Sequence, residues 1–143
     1  VCIEIRKVKN MKVIICIDDN KGMLFNNRRQ SRDAKVLEDI VSLTNEVWID
    51  SFSEKLFEGA NVKINFDPMF LDKAGTSEFC FVENQKLLPY VDDIEQLIVY
   101  KWNRSYPSDF KLDLDLNSWK LVEAVDFAGT SHDTITREIY CKA

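Results

Sequence analysis

The sequence predicts a single α/β domain with a mixed, mostly parallel central sheet flanked by helices and closed by antiparallel C-terminal strands. Three observations predict it. Residues 13–17, Val-Ile-Ile-Cys-Ile, are an unbroken apolar run of the kind a strand buried on both faces requires. Helical and strand-like segments alternate through the first two thirds of the chain. The last third reads as strands alone.

The first ten residues are charged and lead into Met11, so the domain is expected over residues 11–143, with residues 1–10 an upstream leader or added extension. The first strand ends at Asp18-Asp19-Asn20-Lys21-Gly22, a loop sequence. A helix is expected over residues 32–44, because Val36, Leu37, Ile40, Val41 and Thr44 share one face. Ser31 is its expected N-cap, with Asp33 in the first turn. Residues 46–50 form a short strand. Ser51-Phe52-Ser53-Glu54 has the pattern of a capping box and opens a short helix ending near Gly59. Residues 62–66 alternate and read as strand, and residues 67–74 suit a short helix with Pro68 in its first turn. Residues 79–83 and 97–102 are strands, with a turn or helix over 90–95 between them. Residues 111–116 alternate strictly, leucines inward and aspartates outward. Residues 119–127 and 134–141 form the expected antiparallel pair.

Composition sets bounds on function. The net charge is −5. Affinity for nucleic acid comes mostly from neutralising phosphates, so non-specific DNA or RNA binding is not expected. No apolar run approaches the roughly 20 residues that a membrane span needs, and no membrane association is expected. The cysteines, Cys2, Cys16, Cys80 and Cys141, include no C-x-x-C pair. Cys16 and Cys80 lie in apolar runs and read as buried core thiols, and a reducing cytoplasm is the expected compartment.

Residues Gly22-Met23-Leu24-Phe25-Asn26-Asn27-Arg28 continue without a gap to Leu37 and Thr44, and Val47-Trp48-Ile49 follows. This stretch resembles the opening of dihydrofolate reductases. Those enzymes begin with a buried strand, pass through a loop G-I-G-x-N-N-x-L-P-W and enter a helix L-P-x-D/E-L-x-x-F-x-x-x-T. The C-terminal strands fit the same pattern. The resemblance covers most of the chain, with a shortened middle and no motif intact. It implies a dihydrofolate reductase-like fold with a degenerate active site. The helix carboxylate that supports pteridine protonation falls on Val36, which neither bonds nor protonates. The Pro-Trp pair falls on Gln30-Ser31. The phosphate-binding turn, G-R-x-T in the family, is here Asp50-Ser51-Phe52-Ser53, which puts a negative charge where a phosphate would sit. The family's Gly-Gly element is missing. No cofactor is therefore expected, and folate reduction is not expected. The chain is also similar to short bacterial proteins that carry ribonuclease Z names. That enzyme type holds zinc with several histidines and aspartates, whereas this chain has one histidine, His132, so no metal site is expected.

Four groups of residues carry candidate chemistry. Asn26, Asn27, Arg28, Arg29 and Arg32 form the densest amide and basic cluster, over the family's ligand cleft and at a helix start. They suit a small anionic ligand, or else a solvated turn with arginines paired to Asp33, Glu38 or Asp39. His132 sits in a polar loop beside Asp133, as a general acid or base or as a surface-loop histidine. Ser131, its sequence neighbour, is expected to point away from it. Residues 102–107, with Trp102, Arg104 and Tyr106, offer a stacking surface, or rings packed on the core. Asp92, Asp93, Asp109, Asp113 and Asp115 offer hard-cation ligands, or solvated strand edges. No catalytic residue is assigned. Three functions compete: a non-catalytic binding or interaction protein with an unknown protein partner, a binder of a small anionic metabolite or nucleotide in the former cleft, and a reductase whose cofactor binding is unrecognised.

Overall fold

The structure, a computed structural model, describes residues 8–143. The expected upstream extension lies mostly outside the described residues.

Among the described residues ten strands and two α-helices follow one another along the chain, and two of the strands, Gly22–Phe25 and Arg28–Arg29, lie where a loop was expected. The first strand, β1 (Met11–Ile17), is the centre of a seven-stranded sheet. On one side it pairs with β6 (Phe79–Phe81), then β4 (Glu46–Ile49) and β5 (Lys63–Phe66), all parallel. On the other side it pairs in parallel with β7 (Ile94–Lys101). β10 (Ile135–Lys142) then adds antiparallel to β7, and β9 (Trp119–Phe127) closes the edge antiparallel to β10. The sheet is therefore mixed and mostly parallel with an antiparallel end. A smaller sheet joins β2 (Gly22–Phe25), β3 (Arg28–Arg29) and β8 (Phe110–Lys111).

Side chains alternate across β1 with period two, and each face builds its own core. Met11, Val13, Ile15 and Ile17 pack with Leu97, Val99, Phe70 and Leu71 on one face, where α2 (Phe70–Lys73) lies. Ile14 packs with Val47, Ile49, Phe81, Ile98 and Tyr100 on the other, where α1 (Ala34–Leu43) contributes Val36 and Ile40. That arrangement explains the unbroken apolar run: a central strand with both faces covered has no solvent side to mark with polar residues.

Several local expectations need correction. α1 begins at Ala34, and its N-cap is Asp33, whose side chain accepts from the Lys35 N–H. Ser31 lies two residues too early to cap. The helix expected after the Ser51–Glu54 capping box is a single 3-10 turn, Glu54–Phe57, and the box does not form: the N-cap is Ser53, which makes no side-chain capping bond. Its hydroxyl donates instead to Glu83 at 2.7 Å. Residues 111–116 keep Leu112 and Leu114 buried but form almost no strand. Asp113 accepts the backbone N–H groups of Leu87 and Leu88, and Asp115 accepts that of Asn117, so side chains satisfy the backbone in place of a ladder. Cys80 is buried, whereas Cys16 is only partly buried.

Candidate functional site

Where the C-terminal end of the sheet meets α1, a cleft opens, lined among others by Arg29, Ser31, Arg32, Val36, Phe81 and Trp102. Leu37, Ile40, Leu56 and Met23 complete its apolar wall. Its interior space is narrow, about 30 Å³.

The five residues singled out in the loop do not act as one group. Asn26 and Asn27, with φ of 51° and 58°, form the tip of the β2–β3 hairpin. Two consecutive left-handed residues are what a type I′ turn needs, and asparagine tolerates them better than other non-glycine residues. Arg28 follows on β3 and is exposed, outside the cleft. Arg29 enters the cleft but is occupied. Its Nε donates to Glu83 Oε2 and its Nη2 to Glu83 Oε1, both at 2.8 Å, and its Nη2 also reaches the Phe52 carbonyl at 3.2 Å. Those bonds to Glu83 outweigh desolvation and raise the guanidinium above its ordinary value. Arg32 also lines the cleft, exposed at the rim, and its guanidinium makes no hydrogen bond or ion pair among the described residues. The partners expected for these arginines go elsewhere: Glu38 pairs with Lys35, Asp39 with Arg137 and Asp33 with His132.

His132 is the main surprise. It is buried, its side chain 2% exposed, and its partner is Asp33, not Asp133. The ring Nδ1 lies 2.9 Å from Asp33 Oδ2, and Nε2 lies 2.9 Å from Ser31 Oγ and 3.0 Å from Tyr106 Oη. Trp102 stacks on the ring, with centroids 4.7 Å apart. Trp102 and Tyr106 thus pack around the histidine, not on a free stacking surface. Ser131, expected to point away, sits with its hydroxyl 3.2 Å from Nδ1.

Chain geometry explains how Ser31 and Asp33 reach one imidazole. Asp33 has extended backbone angles, φ −152° and ψ 131°. In extended chain, residues two apart project to the same side. Asp33 also accepts the N–H groups of Thr130 and Ser131. Burial acts to raise its carboxyl, but the bonds from Thr130, His132, Ser131 and Lys35 outweigh it and hold it well below the ordinary carboxylate range. Gly129 makes the close approach possible, since a Cβ there would lie 2.6 Å from Asp33 Oδ2 and 2.8 Å from the His132 carbonyl.

Other candidates are structural. Asp18, also buried, accepts the N–H groups of Asn20, Gly22 and Tyr106 and the Gln30 amide. Burial acts to raise it, and those bonds prevail and lower it. The Cys16 thiol in the cleft is pushed far up by burial and then by Glu83, which removes it as a thiolate nucleophile. Asp109 accepts the Asn26 N–H. Among the described residues, no group of three or more His, Cys, Asp or Glu side chains is placed to hold a metal ion. No helix among them is long and apolar enough to cross a membrane.

No family model matches the sequence, and no curated protein matches it, so these two comparisons return nothing with a ribonuclease Z name. Among solved structures, a dihydrofolate reductase from Enterococcus faecalis complexed with NADP(H) and RAB-propyl is similar in fold. Its TM-score is 0.66 at 11% identity, over 93% of this chain and 96% of that one. At this identity the likeness shows the fold alone: a dihydrofolate reductase-like α/β architecture.

Proposed function

We propose that this chain binds a small, largely apolar ligand in the cleft between α1 and the sheet, and that it does not reduce dihydrofolate. The observation that carries the reading is the cleft itself, an apolar wall with Ser31 and Arg32 among its lining residues. Few polar groups on an apolar lining are the usual composition of a small-molecule site. The anionic-metabolite reading narrows accordingly. Arg29 is committed to Glu83, so Arg32 alone remains to meet a negative charge.

Cofactor chemistry of the kind named for the structural neighbour fits these residues poorly. The turn after β4 presents Asp50, whose carboxylate accepts the Phe52 N–H and the Gln85 amide. A phosphate about 4 Å from that carboxylate would be repelled by about 4 kcal/mol at an effective dielectric of 20. The 3-10 turn that follows spans only four residues, too short to supply a useful helix dipole. At the helix position of the catalytic acid stands Val36, buried in the cleft wall. Purified protein is therefore expected to show no dihydrofolate-dependent oxidation of reduced nicotinamide. Turnover that survives removal of host reductase and disappears with Leu37→Trp would sink this part of the reading.

Ligand binding is tested by NMR with p-nitroacetophenone and other small aryl ketones and amides. Shifts should concentrate on Ser31, Val36, Leu37, Phe81 and Trp102 and vanish in Leu37→Trp, which fills the rim. Absence of any cleft perturbation at millimolar ligand would remove the binding reading. A second reading, a protein-interaction role, draws on the β9 edge, where Leu121, Val122 and Val125 are 48%, 49% and 39% exposed. An edge strand accepts a partner strand. Sedimentation of the protein with native-host extract, before and after Val122→Pro, separates that role from small-molecule binding.

A further inference from the structure

We propose that Ser31, His132 and Asp33 form a hydroxyl–imidazole–carboxylate relay that makes Ser31 an acyl acceptor for small carboxylic esters. The inference rests on the cleft being a ligand site and adds a reaction to it. Ser31 Oγ to His132 Nε2 is 2.9 Å, and His132 Nδ1 to Asp33 Oδ2 is 2.9 Å. These are the two contacts a nucleophile, its base and the base's orienting group must make, whatever their order in the chain. The imidazole and carboxylate are buried, while Ser31 is half-buried and faces the cleft. The nucleophile is thus on the accessible side and its activators on the dry side.

The relay has a defined tautomer. Asp33, held ionised by its N–H donors, accepts from Nδ1–H, which leaves the Nε2 lone pair to accept a proton. Ser31 and Tyr106 compete for that lone pair, at 2.9 and 3.0 Å. Trp102, stacked on the ring, fixes its plane. Acyl transfer balances as follows. Ser31 Oγ forms a bond to the ester carbonyl carbon and its proton passes to Nε2. The C–O bond to the leaving alcohol or phenol breaks, and Nε2 returns the proton to that oxygen. Water then attacks the acyl-serine with the same proton path and releases the carboxylic acid. Arg32 lines the same cleft, exposed at its rim.

The experiment incubates the intact protein with p-nitrophenyl acetate and, separately, with an alkyl fluorophosphonate. It reads p-nitrophenolate release and maps the modified residue by peptide mass spectrometry. Acetyl and phosphonyl groups on Ser31 are expected. Ser31→Ala should lower the acylation rate at least about a hundredfold, since loss of a relay member typically costs more than that. That substitution removes one hydroxyl from a half-buried position, and circular dichroism checks that the fold persists. His132→Gln should lose labelling as well, while Asp133→Asn, at the exposed neighbour of the histidine, should keep it. Modification on a lysine or on Tyr106, or equal rates in the wild type and Ser31→Ala, would overturn the relay. Binding of p-nitroacetophenone, the ketone counterpart that cannot acylate, separates the two readings. If the ketone binds and Ser31 stays unmodified, the relay fails and the cleft reading stands. If neither occurs, both fail.

Discussion

At Glu83 a carboxylate only 9% exposed receives two hydrogen bonds from Arg29 and one from Ser53. Such a pair is held by mutual satisfaction: removing one partner strands the other's charge in a dry place. Arg29→Met is expected to cost about 3 kcal/mol in chemical denaturation, and adding Glu83→Leu should recover most of it. A double variant as unstable as the single one would show that packing, not charge, sets the cost. The same residues show what a sequence does and does not reveal. Arg29 stood out for its charge, but Glu83 is 54 residues away and gave no local sign of the match. His132 is harder still. Its carboxylate and hydroxyl partners lie 99 and 101 residues earlier, so only the folded chain assembles the group. Its adjacent Asp133, the obvious partner by proximity, is exposed.

Among the elements, the α1 N-terminus is where local and distant structure meet. The helix itself was legible, because Val36, Ile40 and their neighbours repeat at helical spacing. Its start was not, because serine and aspartate are comparable caps and the choice between Ser31 and Asp33 is made by the loop at 130–132. Alternation at 111–116 likewise predicted which leucines turn inward, but not that aspartates would take over the backbone bonds. Asp33 now carries a pH prediction. Its folded carboxyl is held below the unfolded value, so its contribution is present above about pH 4 and is lost as the pH falls. Asp18 acts with the same sign. Thermal denaturation from pH 7 to pH 2 should show the wild type losing more stability on the acid side than Asp33→Asn, whose amide does not titrate. Parallel curves would mean that Asp33 is not among the groups driving acid unfolding. At neutral pH the substitution should itself destabilise by about 1–3 kcal/mol, because asparagine is a comparable cap but its amide cannot accept every bond that the carboxylate takes from Thr130, Ser131 and His132.

Across the whole molecule, the seven-stranded order places β1 at the middle and β9 at an edge. The two strands are built for different duties. In β1, five of seven residues are buried and both neighbours pair with it in parallel. In β9, only Trp119 is buried, and one neighbour, β10, supplies all its pairing. The parallel centre with two covered faces followed from the apolar run, whereas the position of β9 outside β10 was beyond a pattern argument, since both strands are similar in length and composition. The difference makes a prediction for native-state hydrogen exchange. Opening β1 removes both cores from their central strand, so its amides should exchange only through global unfolding, and their apparent free energies should follow denaturant stability. β9 amides facing away from β10 have water as their partner and should exchange orders of magnitude faster, while those bonded to β10 should open at intermediate cost. Substitutions should divide in the same way. Ile15→Lys buries a charge without a partner and should prevent folding, whereas Val122→Lys on the open edge should change stability by less than about 0.5 kcal/mol. If the outward β9 amides prove as protected as those of β1, something covers that edge in solution. The protein-interaction reading would then gain the observation it needs, with a second copy of the chain as the first partner to test by sedimentation at varied concentration.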